Sequence, residues 1–327
     1  MAIQGGGRAA RCALALVTTT LVASLAACAP AIDQAQSVQT RIGRIPDVAA
    51  TRVTPPSAAQ AGTVSVDLLT GSSVAEVLAI TEAVTRAADD EGFNDYRLTL
   101  REAGAEPATL VVDGDFAADP RAVAVVGAWQ RLQSALLGAI AYTHQPDAET
   151  IAVTTSGGLL RDVVESSRIG YGTATTTWRF TDGGATFVDD GRLGPRDVVL
   201  LQRVQRTVAS PSLPLGATGW HLETRDTQVL LDLSLAMPGP VDPSDFTRGT
   251  YARPLRLLVE AAVDALDLPG RDLVVRLVNP GHDGSPDDVV GWWLSARATI
   301  PGRDPLRRGW DGWLRRVAGR ALAGGPT

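Results

Sequence analysis

Lysine is absent from all 327 residues, so each of the 30 basic side chains is an arginine. That absence removes whole classes of chemistry. A Walker P-loop needs its lysine on the phosphates, a Schiff-base enzyme needs its amine, and a Ser-x-x-Lys acyl-transferase needs its base. Cysteine is nearly as scarce: the two present, Cys12 and Cys28, both fall in the first 28 residues. The body is therefore expected to hold no disulfide and no cysteine-ligated metal, and to rest on its apolar core alone. Histidine occurs three times, as His144, His221 and His282, never in a His-x-x-x-His or His-Glu-x-x-His spacing. No body segment approaches twenty uninterrupted apolar residues, the length a membrane-spanning helix requires. What is present is ordinary for a folding chain: 45% hydrophobic residues against 20% charged.

Residues 1–27 carry Arg8 and Arg11 and no acid. Two apolar runs follow, Cys12-Ala-Leu-Ala-Leu-Val and Leu21-Val-Ala-Ser-Leu-Ala-Ala, which end at Cys28. A positive start, a short apolar stretch and small residues before a boundary predict a secretory signal peptide. Leu25-Ala26-Ala27-Cys28 resembles the lipobox of bacterial lipoproteins. The resemblance implies that Cys28 receives a lipid and becomes the first mature residue, anchored at the extracytoplasmic face of the cell membrane. In the alternative reading the leader is a plain signal peptide and Cys28 is incidental. Loss of two leader arginines takes the formal charge from −6 to −6 − 2 = −8, which argues against nucleic acid as a partner. The arginine-only, alanine-rich composition suggests a high-GC actinobacterium.

From Ala29 to about Ala61 the chain is rich in Ala, Gln, Thr, Ser and Pro with little sustained periodicity. It is expected to be a flexible tether (28–61 with the anchor), spanning roughly 30 Å on average. After Gly62 the period changes. Val64, Val66 and Leu68 alternate as a strand, and Val74, Val77, Leu78, Thr81 and Val84 recur at helical spacing. Helix starts are expected near residues 72, 119, 157, 195, 249 and 305, three of them marked by Asp119-Pro120, Gly194-Pro195 and Asp304-Pro305. The strongest helical stripe is Tyr251, Leu255, Leu258, Val259, Ala262, Val263 and Leu266. Repeated helix-strand-strand units predict an α+β fold of tandem ferredoxin-like, split βαβ modules, at 62–146, 147–226 and 227–327. Two larger α/β sandwiches would use the same elements. The cadence loosely resembles BON-type envelope domains, but no glycine signature aligns, so no activity follows. In ferredoxin-like sheets one face is left bare by the helices, and here Trp293, Ser295 and Arg297 are expected to lie on it.

Candidate chemistry is thin. Ser156 in Thr154-Thr155-Ser156-Gly157-Gly158 sits where a strand turns into a helix, as a nucleophile elbow does, but Thr154 stands where that motif needs glycine. Asp283 and His282 would complete a hydrolase constellation, and the competing reading makes Ser156 a helix N-cap, with Ser72 its equivalent in the first module. The loop with His282, Asp283, Asp287 and Asp288 is a metal candidate or simply an Asp/Gly/Pro-rich turn. Neither it nor the Asp182 to Asp190 segment has the twelve-residue calcium-loop spacing. The C-terminal helix carries Trp310 and Trp313 in an apolar stripe, with Arg307, Arg308, Arg315, Arg316 and Arg320 around it. Such a helix either lies on anionic lipid or a partner, or packs on the sheet with its arginines solvated.

Together these features predict a non-enzymatic envelope lipoprotein that binds a protein or envelope component and needs no cofactor. The alternatives are a lipid- or amphiphile-binding lipoprotein and a serine or His/Asp hydrolase.

Overall fold

A computed structural model describes residues 31–102, 107–209, 215–225, 227–236, 242–249, 252–266, 271–279, 288–295 and 305–323. The chain parts into two compact units, one ending at Gly127 and the other beginning at Ala128.

In the first unit residues 31–42 form a helix, α1, followed by strands β1 (Val48–Thr54) and β2 (Gly62–Leu68), helix α2 (Val74–Asp90), and strands β3 (Tyr96–Glu102) and β4 (Ala108–Asp113). The expected tether is thus corrected. Ala35, Val38 and Ile42 recur at i, i+3 and i+7 and are buried, so α1 has one apolar stripe to pack. Arg41 pins its end to Asp90 and Glu91 at 3.0 and 3.2 Å. β1 runs antiparallel beside β2. Helix α2 begins at Ser73, whose hydroxyl accepts from the Glu76 amide while the Glu76 carboxylate accepts from the Ser73 amide at 2.6 Å. Ser72 is not the cap; its hydroxyl donates to the Leu69 carbonyl.

Helix α3 (Ala122–Ala135) spans the division. The second unit then contains strands β5 (Ala139–Gln145), β6 (Ala148–Thr154), β7 (Thr176–Asp182), β8 (Ala185–Asp190), β9 (Leu215–Thr224), β10 (Gln228–Leu235), β11 (Asp272–Asn279) and β12 (Asp288–Leu294). Its helices are α4 (Leu159–Ile169), α5 (Pro195–Val208), α6 (Pro243–Arg248), α7 (Ala252–Leu266) and α8 (Pro305–Ala323). The eight strands lie side by side in chain order. Antiparallel hairpins (β5/β6, β7/β8, β9/β10, β11/β12) alternate with parallel pairs (β6/β7, β8/β9, β10/β11). Each parallel pair is bridged by a helical crossover, as parallel neighbours require. The first unit follows the same rule, with β2 parallel to β3 across α2 and β3 antiparallel to β4.

The α+β class and the repeated strand-helix cadence are present, but the split βαβ arrangement is not seen. A split module places another strand between the two that a helix connects; here β2 pairs directly with β3, and β6 with β7. The repeat is two strands and a helix, added edge to edge.

In the second unit α4 touches α5, α5 touches α7 and α7 touches α8, a continuous helical layer. Buried alternate residues such as Trp178, Phe187, Leu222, Leu231 and Val275 set the sheet face beneath it. At the last strand the expected face assignment is reversed. A Cβ on Gly291 would stand 2.7 Å from the Trp310 Cβ of α8, so Gly291 and its alternate, Trp293, which is 5% exposed, face the helices. Trp292 takes the other face. Arg297 lies outside the described residues.

Candidate anion-binding groove

Helix α7 buries Leu255, Leu258, Val259, Ala262, Val263 and Leu266. That leaves Arg253 and Arg256, three residues apart, on its outer side. Helix α8 buries Trp310, Leu314, Val317 and Ala318. One step around its axis, Trp313, Arg316 and Arg320 follow at i, i+3 and i+7, one line along a helix. With α7 and α8 packed together and α6 against both, these two lines face each other. They form a groove of about 340 Å³, lined by Thr247, Arg253, Arg256, Trp313, Arg316 and Arg320 with Ala252 and Val317 at its floor.

Four arginines line the groove, and among the described residues no carboxylate does. Arg256 has Glu260 at 3.6 Å, a loose (i, i+4) contact between an exposed arginine and a half-buried but solvated glutamate, worth little in water. Among the described residues no ion pair holds Arg253, Arg316 or Arg320. Guanidinium forks meet phosphate or carboxylate oxygens two at a time, and several on one anion give both attraction and orientation. Trp313, half-buried, sets an indole edge against Trp310 at a ring separation of 5.8 Å and presents the rest of its surface to the groove.

The structure therefore divides the residues that the sequence groups on α8. Trp313 and Arg316 line the groove. Trp310 is 1% exposed and belongs to the core. Arg308 and Arg315 are exposed and Arg307 is half-buried, all three away from the groove lining. The α7 arginines were not singled out from sequence. Their signal was available, two arginines at i and i+3 just outside the strongest apolar stripe of the chain.

The remaining candidates fall elsewhere. Cys28, His282, Asp283 and Asp287, and the side chain of Asp288, lie outside the described residues. Ser156 is not the cap of α4: the N-cap position is Gly158, the Ser156 hydroxyl donates to the Leu137 carbonyl at 2.7 Å, and Asp182 accepts from the Leu159 amide at 3.3 Å. His144 is buried with its Nδ1 3.0 Å from Glu149 Oε1. Glu149 also accepts from Tyr171 at 3.0 Å and from Thr176 at 2.8 Å. Such a closed, satisfied network orders the interior of the second unit. Asp189, 4% exposed, bonds Thr224; burial, aided by the neighbouring Asp197 charge, pushes its carboxyl up to about 7. No group of three or more His, Cys, Asp or Glu side chains among the described residues is arranged to hold a metal. No helix among them is long and apolar enough to cross a membrane.

Comparison with known proteins finds no matching family model, no matching curated protein and no matching solved structure.

Proposed function

We propose that this protein is a non-enzymatic lipoprotein of the cell envelope, held at the outer face of the membrane through a lipid on Cys28. Through the α7/α8 groove it takes a phosphate-bearing component of that envelope. The observation that carries the binding role is that Arg253, Arg256, Arg316 and Arg320 line one groove in a chain whose formal charge is −6. Clustered like charge costs stability through repulsion, and an anion bound between the arginines offsets that cost. The anchor is supported by the leader sequence alone. The reading rests on the α/β unit that carries the groove and not on ferredoxin-like modules. An amphiphile fits the same groove if its headgroup meets the arginines and its chain lies along Trp313. No described contact favours a hydrolase.

Two measurements test the proposal. Mass spectrometry of the native product should show an acylated Cys28 at the amino terminus; an unprocessed Met1 or a free thiol there removes the anchor. Co-sedimentation of the chain from Ala29 onward, which lacks the lipid-bearing Cys28, with phosphatidylglycerol vesicles should exceed that with phosphatidylcholine vesicles and fall at high salt. Arg253→Ala/Arg316→Ala/Arg320→Ala should weaken it by about tenfold or more, at 1.4 kcal/mol per factor of ten. Equal partition of wild type and variant sinks the groove.

A further inference from the structure

The sheet face turned away from the helices in the second unit carries a constellation that the groove does not use. Strand pairing sets Thr186 beside His221, His221 beside Asp232, Asp232 beside Arg276 and Arg276 beside Trp292. One lateral row thus crosses five strands, β8 to β12. Their chain neighbours Phe187, Leu222, Leu231, Val275 and Gly291 are buried on the helix side, so alternation puts the row on the opposite face. A cleft of about 360 Å³ opens over Thr186, His221, Asp232 and Arg276, with Trp220, Ser234 and Val278 also lining it, a size suited to a small ligand; Trp292 continues the row one strand beyond that lining.

The charges along this row are matched within it or by its neighbours on β9 and just beyond. Arg276 Nε donates to Asp232 Oδ1 at 2.5 Å and its Nη2 donates to Oδ2. The His221 ring lies 3.4 Å from Glu223 Oε2, and Arg225 Nε donates to the same carboxylate at 2.6 Å. With these two carboxylates and two guanidinium groups paired one to one, the described residues lining the cleft carry no excess of either sign to attract an ion, unlike the arginine groove. What it offers is a line of alternating donors and acceptors: hydroxyl, imidazole, carboxylate and guanidinium, spaced by the strand separation of about 4.8 Å and ending at an indole. A chain of sugar rings presents the complement. Vicinal hydroxyls both donate and accept, so they bridge a carboxylate–guanidinium pair without breaking it, and the C–H face of a pyranose covers an aromatic ring.

We propose that this cleft binds an uncharged glycan strand, lying across β8 to β12 with hydroxyls on Asp232, Arg276 and His221 and one ring against Trp292. This site is independent of the anion groove and of the anchor.

The test is isothermal titration of the mature chain with maltotetraose, cellotetraose and the tetramer of N-acetylglucosamine. At least one should bind below about 1 mM, with little change between low and high salt and with a shift in tryptophan fluorescence. Asp232→Ala/Arg276→Ala, which removes both charges together, should weaken that binding about tenfold or more. Trp292→Ala should reduce the fluorescence shift, leaving the part that comes from Trp220 in the cleft lining, and Arg253→Ala/Arg316→Ala/Arg320→Ala should leave it unchanged. Should the double variant fail to fold by circular dichroism, Thr186→Ala and Ser234→Ala replace it, each expected to weaken binding several-fold. The proposal is overturned if none of the three sugars binds at about 10 mM, or if binding survives the Asp232/Arg276 and Thr186/Ser234 changes.

Discussion

Gly291 is a residue whose absence of a side chain sets how α8 meets the sheet. An added Cβ would stand 2.7 Å from the Trp310 Cβ and 3.2 Å from Leu314 Cδ1, both parts of a packed helix with little room to give. Gly291→Ala should cost about 1–3 kcal/mol, the usual cost of overpacking. A drop in Tm is the readout, and an unchanged Tm would mean that α8 does not press on β12. Asp189 gives a second residue-scale expectation, this time in pH. Its carboxyl is raised to about 7, chiefly by burial, so the folded protein keeps a proton there that the unfolded chain releases near pH 4. Stability from this group is fully present below about pH 4 and is lost as pH rises through about 7. Asp189→Asn should flatten that slope and raise Tm at pH 8; a parallel profile for wild type and variant would contradict it.

At the scale of the element, α8 separates two tryptophans that look alike in sequence. Trp310→Ala opens a cavity under a buried indole and should cost about 3–5 kcal/mol in urea unfolding. Trp313→Ala, on the groove wall, should cost less than about 1 kcal/mol while weakening vesicle binding. The reverse order would show that the two indoles had been assigned to the wrong sides of the helix. Helix α1 makes the other expectation at this scale. Were residues 31–42 a free tether, Ile42→Ala would be silent; because Ile42 is fully buried, a loss of about 2–5 kcal/mol is expected. The α1 stripe was readable as Ala35, Val38 and Ile42, but small alanines and intervening glutamines flatten its contrast. β1 was harder, since Val48, Thr51 and Val53 are only half-buried on an edge strand, where one face has little to pack on.

At the scale of the molecule, charge separates the two proposed sites. The chain is acidic overall, the groove is locally basic and the sheet-face row is balanced, so salt should weaken the first interaction and spare the second. The two compact units share one building rule, a hairpin followed by a helical crossover. That rule needs no residue motif, because each added pair of strands satisfies the backbone edge left by the last, and each helix covers the apolar side of its own strands.

Period and punctuation determined the element list: alternation in Val64-Val66-Leu68 and Leu273-Val275-Leu277, the α7 stripe, and Gly194-Pro195, which opens α5 with Pro195 as its first residue. These are short-range effects of backbone geometry and solvent, and a sequence displays them directly. Only the tertiary structure decided that β2 pairs with β3 instead of leaving a gap for another strand, that Trp293 and not Trp292 faces the helices, and that Arg253 meets Arg316 across a groove. Each of those depends on which distant surfaces bury the most apolar area together. Hairpin, split and sequential sheets use the same local signals, so that choice lies in packing between elements and is written in no single segment.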